Sequence, residues 1–450
     1  MLAKIWRISR KNPRLLNLFE GIASKAIGAV MWFGFTIVIS RNLDILETGY
    51  FFYALSIFLF IPQVTNAGYP PLLLRYGSEM LHMQDFRGAS RLLRRSITVT
   101  IICSLLASVA FIASSRWGLT DLYTDNDLFI ACFVIGSLLF SLQALFRNAE
   151  IAFDRIRDSN LNFYVFRGLF SLVFSYIALQ TWRSDLVVAM LAICSAMLLI
   201  VLRDFYVLRD FIFKRRPASS ATNEAIWPKP TLTWISECGS ALIIKGDALF
   251  VSFFLGIEAV ASYFIAQRIA VFAEFFIDGL RSYVAPRLSK AFYSGGSVTE
   301  RNRTISEVAV VYFLASFVCV VPLLIAAPYL LQLFGGHAED ALLSCYILIL
   351  GRLLVASFGP TIFILDYANL RIYRSYITLF FLILTPFVYW LSTSVLGFVG
   401  AATAYSFIIV VNGLVRALVS WRKLAIWPGV TPQGAINEAK GLLKMKQKGI

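Results

Sequence analysis

Apolar runs of about twenty residues return again and again along this chain, and that repetition leaves few folds open to it. A helix needs roughly 20 apolar residues to cross a hydrocarbon core about 30 Å thick. Backbone in lipid must also satisfy its own hydrogen bonds, so a spanning segment of this kind is a helix. Runs of that length fall at 18–40, 47–68, 96–116, 127–147, 162–182, 186–207, 233–255, 259–283, 308–332, 340–364, 376–396 and 398–420. The expected class is therefore an all-α integral membrane protein with about 12 transmembrane helices. Composition agrees: 58% of residues are hydrophobic and 15% charged, against about half and a quarter in soluble domains. Pro62, Pro322, Pro328, Pro360 and Pro386 lie inside the runs, where lipid tolerates them as kinks.

Charge between the runs sets the orientation. If the spans alternate, 31 Lys and Arg residues fall on the amino-terminal side of the membrane. The opposite face holds three: Arg41, Arg116 and Arg183. The positive-inside rule then places both termini in the cytoplasm. The formal charge of +15 would suggest nucleic acid in a soluble chain. Here its distribution points to topology and anionic lipid, and no nucleic-acid partner is expected. Lys4, Arg7, Arg10, Lys11 and Arg14 precede the first run as they would in a signal peptide. That run is of full span length without a small-residue cleavage site, so it is read as an uncleaved first helix. The six cysteines are scattered singly, and no C-x-x-C spacing occurs. Reduced core fillers are expected, with no metal site and no cofactor.

The outer loops are too short to hold a domain, and the longest inner link contains RRPASSATNEAIWPKP. It divides the chain into an N-terminal six-helix half (1–207), a linker (208–232), a C-terminal six-helix half (233–425) and a basic tail (426–450). An offset of 212 residues sets Leu43 on Leu255, Ile45 on Ile257, Ala54 on Ala266, Arg75 on Arg287 and Asp154 on Asp366. This suggests an internal repeat. With an even number of spans per half the repeats run parallel, related by an axis along the membrane normal with a cavity between them.

The stretch SRNLDILETGYFFYALSIFLFIPQVTNAGYPPLLLRYGSE (40–79) resembles the start of the polysaccharide-transport branch of the multidrug/oligosaccharidyl-lipid/polysaccharide (MOP) exporter superfamily. IKGDALFVSFFLGIEAVASYFIAQRIAVFAEFFIDGLRSYVAPRLSK (244–290) is similar to that family's seventh and eighth helices, and 330–402 to its last third. The resemblance spans about 18–425 and implies a MATE-like pair of bundles around a central cavity. It also implies a Wzx-type flippase, which moves undecaprenyl-pyrophosphate-linked glycan units to the outer leaflet of the bacterial inner membrane. A polysaccharide polymerase and a chain-length regulator are the partners it suggests, besides the lipid-linked glycan and membrane lipids. The related lipid II flippases usually have fourteen spans, so twelve points to the O-antigen or capsule type.

Beyond the cations at run ends that are counted with the loops, seven fall inside the spans: Lys25, Arg167, Lys245, Arg268, Arg281, Arg352 and Arg416. Each costs roughly 2.5–3.5 kcal/mol at a helix centre, so lipid-facing placement is disfavoured. Arg167, Arg281 and Arg416 are near helix ends and are read as snorkelling to the interface. Lys25, Lys245, Arg268 and Arg352 are the substrate-binding candidates. Asp247, Glu274, Asp278 and Arg281 are candidates for ion coupling or ion pairing, with Asp278 and Arg281 spaced for an intrahelical pair. Positions 274, 278 and 281 share a helical face. Lys245 and Asp247 are two apart and point opposite ways, and the sequence leaves open which of them meets the cavity.

A pyrophosphate lifted out of water needs cations to replace its hydration, and guanidinium suits bidentate contact. Carrying two negative charges outward gains roughly 4.6 kcal/mol per 100 mV, from about 2.3 per charge. No G-x-x-x-x-G-K-[ST] stretch is present, so ATP hydrolysis is not expected of this chain. Gln63, Asn66 and Asn412 are either sugar contacts or helix–helix hydrogen bonds. An enzyme is not expected: Asp121, Asp125 and Asp127 read as a loop or cap, and His82 and His337 lack partners at ligand spacing. The alternative is a cation-coupled multidrug or small-molecule exporter of the same superfamily, which would want an acidic aromatic cavity.

Overall fold

The computed structural model describes residues 13–118, 120–213, 231–274, 280, 284, 287–293, 298–335 and 341–430. Asp278, Arg281, His337, most of the linker and all but the start of the tail lie outside these residues. The described chain is helical: α1 Pro13–Asn42, α2 Ile45–Thr65, α3 Phe86–Arg116, α4 Asp127–Ala152, α5 Ile156–Thr181 and α6 Leu186–Phe213. It continues as α7 Thr231–Lys245, α8 Asp247–Leu255, α9 Ile257–Val271, α10 Val298–Gln332, α11 Leu342–Ser357, α12 Thr361–Tyr367 and α13 Arg371–Leu424. Among the described residues nine helical segments are long and apolar enough to span a bilayer, or ten when α7 and α8 count as one bent span. At 1.5 Å per residue a straight 54-residue α13 would be about 80 Å long, far beyond one bilayer. It turns at Gly397, whose backbone (φ 56°, ψ −130°) is not helical and suits a residue without a Cβ. The protein is thus a multi-pass, all-α membrane protein.

Local chemistry fixes the helix ends. The Asp44 carboxylate accepts from Glu47 N at the start of α2. Asn126 accepts from Leu128 N and Phe129 N at the start of α4, so the Asp-rich turn is built around a cap. Of the five prolines in the spans, Pro62, Pro322, Pro328 and Pro386 lie within continuous helices. Only Pro360 marks a break, between α11 and α12.

The chain divides into two compact units, Met1–Ala241 with Gly256–Ala261, and Leu242–Leu255 with Ser262–Ile450. In the first unit α4 packs along α6 and α3, and α1 along α5. Helix α2 is the interior element, with 72% of its apolar window buried, whereas α3 shows 22%. On α3 the buried side is small and polar (Ser90, Ser96, Thr100, Ser104, Ser108) while Ile102, Leu105, Leu106 and Val109 are exposed. That inversion is what a helix facing lipid requires, since close helix packing and hydrogen bonds, not apolar burial, hold such bundles together. Thr100 Oγ1 donates to the Asn66 Oδ1 at 2.9 Å, so Asn66 makes a helix–helix contact. Helices α2 and α9 begin at Ile45 and Ile257, the pair that the 212-residue offset superimposes.

In the second unit α11 packs along α13 and α10, and α8 along α13. Val284, Leu288, Ile305, Val308, Ile364 and Ile426 form a buried apolar cluster. The Val430 N–H donates to the Ser357 carbonyl at 3.0 Å. Residues 426–430, the start of the segment read as a basic tail, pack with this unit.

Candidate functional site

A continuous polar network is buried in the second unit. It starts where the bent span breaks: Glu237–Lys245 and Asp247–Leu255 meet at 53°. Gly246 sits at the bend, and a Cβ there would lie 2.6 Å from the Leu242 side chain and carbonyl oxygen. Beyond the bend Asp247 opens α8, and its Oδ1 accepts from Ala248 N at 3.0 Å. Its Oδ2 accepts from Gln267 Nε2 on α9 at 2.6 Å. Gln267 Oε1 accepts in turn from Arg352 Nη2 on α11 at 2.9 Å. The same Nη2 donates to the Tyr405 hydroxyl on α13 at 3.3 Å, and Arg352 Nη1 pairs with the Glu274 carboxylate. Four segments are tied together through one guanidinium.

Close helix contact delivers Arg352 to Tyr405. One residue earlier, Gly351 lies so near α13 that a Cβ would be 2.6 Å from Ser406 Oγ. Ser406 Oγ also donates to the Ile347 carbonyl at 3.1 Å. The buried phenols of Tyr263 and Tyr389 lie within electrostatic reach of Asp247. Arg268 stacks its guanidinium over Phe264 at 4.1 Å, in the field of both Asp247 and Arg352. Among the described residues the network holds two guanidiniums, Arg268 and Arg352, and two carboxylates, Asp247 and Glu274. Exposure differs sharply along it, at 3% for the Arg352 side chain and 45% for Glu274.

Of the residues singled out in the sequence, the structure gathers Asp247, Arg268, Glu274 and Arg352. Lys245 ends α7 exposed, whereas Asp247 is buried and hydrogen-bonded within the network. Glu274 lies in a 3-10 turn (Phe272–Glu274) that follows α9, and not on a regular helical stripe; Asp278 and Arg281 lie outside the described residues. Lys25 belongs to the first unit, 5.5 Å from the Tyr164 ring centre.

Lys25 has company there. A π-helical turn, Leu161–Phe166, interrupts α5 and presents two rings. Arg147 lies 3.8 Å from the Phe163 ring centre and donates to the Tyr164 hydroxyl at 2.8 Å. Arg167 lies 5.2 Å from the same Phe163 ring and 4.6 Å from Trp32. At 8% exposure Arg167 does not snorkel; the rings around it take over part of its solvation. Arg416 is likewise buried, at 9%. The π turn also carries Asn162, whose amide donates to Ile200 O at 3.3 Å and to the Asp204 carboxylate. Glu150 is fully buried beside Asp204.

Sequence reading missed Gln267, Tyr405, Arg147, Glu150 and Asp204. An amide or acid inside an apolar run is the signal that finds Gln267 and Asp204. Arg147 closes the apolar run 127–147 and reads there as a loop cation, and Glu150 falls beyond it, while α4 continues to Ala152.

Neither known protein-family profiles nor curated protein sequences match this chain. Solved structures do. The inward-facing conformation of a multidrug resistance MATE family transporter of the MOP superfamily superposes with a TM-score of 0.70 at 15% identity. The match covers 90% of this chain and 98% of that one. MATE in complex with MaL6 matches at 0.62 and 14% identity, covering 91% and 96%. A MOP superfamily transporter from Pyrococcus furiosus, described as having a reversed polarity of its binding pocket, matches at 0.62 and 14%, covering 91% and 94%. Over nearly its whole length, then, this chain has the fold of the MATE transporters of the MOP superfamily.

Proposed function

We propose that the protein is a flippase that carries undecaprenyl-pyrophosphate-linked glycan units across the bacterial inner membrane by alternating access, with both termini in the cytoplasm. The observation that carries this reading is Arg352, a buried guanidinium in the middle of an apolar span, held by Gln267 and Tyr405 on one side and by the Glu274 carboxylate on the other. A buried, oriented guanidinium is costly unless it has anionic work to do, and its planar fork fits phosphate oxygens. Lys25, Arg147 and Arg167, gathered on the rings of the π turn, add positive potential in the first unit. The fold tolerates pockets of different polarity, as the name of the Pyrococcus furiosus neighbour states for that protein.

A cation-coupled exporter of small molecules is the second reading, favoured by the buried Glu150–Asp204 pair. The two readings part in a complementation assay. Expressed in cells that lack their own O-unit flippase, the wild-type chain restores surface glycan. Arg352→Ala reduces it at least tenfold while membrane levels hold. Restored drug resistance without glycan export would favour the exporter.

A further inference from the structure

Arg352 shares its donors unequally. Nη2 is committed to two neutral groups inside the protein, Gln267 Oε1 at 2.9 Å and the Tyr405 hydroxyl at 3.3 Å. Nη1 meets, among the described residues, a carboxylate, Glu274, and Nε is buried without a hydrogen bond. The partners also differ in how firmly they are held. Gln267 is 7% exposed, and its own amide is anchored on Asp247 Oδ2 at 2.6 Å; Tyr405 is 1% exposed. Glu274 keeps 45% of its side chain exposed and lies in a 3-10 turn at the end of α9. Around one buried cation there are thus two buried, fixed partners and one partly exposed carboxylate.

From this asymmetry we infer that Glu274 is an internal counter-ion standing in the phosphate subsite of Arg352, displaced when the anionic headgroup arrives. This deepens the reading above and rests on it. The Glu274 carboxylate supplies what a phosphate oxygen pair would supply: negative charge and planar acceptors facing Nη1. Among the described residues Glu274 is the carboxylate in direct contact with Arg352, whereas Asp247 acts on it from the far side of Gln267. With Glu274 in place, the guanidinium stays neutralised between cycles, and a phosphate must compete for the place. Displaced, Glu274 moves off Nη1 on its exposed side, whereas the buried Gln267 and Tyr405 keep the guanidinium aimed. Phosphate then replaces carboxylate one for one, and no unpaired buried charge appears at any stage.

The device sets affinity as well as occupancy. A site of bare cations would bind a pyrophosphate tightly and release it slowly. An attached competitor weakens binding in the loaded state and speeds release, because the carboxylate returns as the phosphate leaves. Glu274 is therefore a specificity and release residue, not a coupling acid.

The test uses the full chain in lipid nanodiscs, with inorganic pyrophosphate as probe and calorimetry as readout. Glu274→Gln keeps the shape and removes the charge; Glu274→Ala removes both. Both variants are expected to bind pyrophosphate at least tenfold more tightly than wild type, the scale on which close charge pairs couple. Glycan-lipid flipping by both falls as release slows. Equal or weaker binding in both variants overturns the inference and makes Glu274 a positioning acid. Wild-type protein that binds no pyrophosphate at millimolar concentration, with Arg352→Gln identical to it, overturns the flippase reading itself and the inference with it. Tighter binding that vanishes again in the Glu274→Gln, Arg352→Gln double variant confirms that the two residues share one subsite.

Discussion

Arg352 satisfies three kinds of partner at once: an amide, a phenol and a carboxylate. Its neighbour Gln267 has no charge, yet it is the joint of the network, accepting from Arg352 and donating to Asp247. Replacing it with a group of similar size that cannot hydrogen-bond leaves Asp247 Oδ2 buried without a donor. An unsatisfied buried group costs about 1–3 kcal/mol, and more when charged. Gln267→Leu is therefore expected to lower thermal stability in detergent by at least that amount, as read from the melting midpoint and from denaturant curves. Gln267→Glu, which retains acceptors but places a new carboxylate between Asp247 and Arg352, is expected to stabilise the Arg352 side while straining the Asp247 side. Surface residues such as Arg303, in an exposed i,i+4 pair with Glu307, should tolerate truncation within about 0.5 kcal/mol.

At the level of elements, breaks in helices matter more than the helices themselves. The span bends at Gly246, α13 turns at Gly397, and α11 gives way to α12 at Gly359 and Pro360. Hydropathy located the spans well because apolar length is a strong signal. It took α7 and α8 as one run, 233–255, since a single glycine barely changes mean hydropathy. It also placed Asp247 and Lys245 on opposite faces, and the structure buries one and exposes the other. What the sequence did not disclose was which helices touch. Gly351 and Ser406 are unremarkable letters, yet their contact brings Arg352 beside Tyr405. Gly351→Leu is expected to push α11 from α13, lower stability by about 1–3 kcal/mol, and reduce glycan export as strongly as loss of Arg352. Cysteine cross-linking between these two helices would report the separation.

For the whole molecule, the all-α membrane class and the MATE-like fold were legible in apolar periodicity and in the quoted stretches. The chemistry was legible only in part. Polar side chains in lipid are rare and expensive, so Asp247, Arg268, Glu274 and Arg352 stood out. Their mutual pairing depends on tertiary contacts, which bring Gln267 and Tyr405 between and beside them. Net transport of a dianion outward would gain roughly 4.6 kcal/mol per 100 mV, from about 2.3 per charge. Collapsing an inside-negative potential should therefore slow accumulation of the lipid in the outer leaflet, and reversing it should slow it further. No dependence on potential would mean that the carried charge is neutralised in transit.

The most direct measurement is the initial rate at which purified protein in liposomes moves an undecaprenyl-pyrophosphate-linked glycan between leaflets, comparing wild type with Arg352→Ala. The account predicts rapid movement with wild type and at least a tenfold lower rate for the variant at equal incorporation. Equal rates for the two proteins, or no movement by either above empty liposomes, would contradict it.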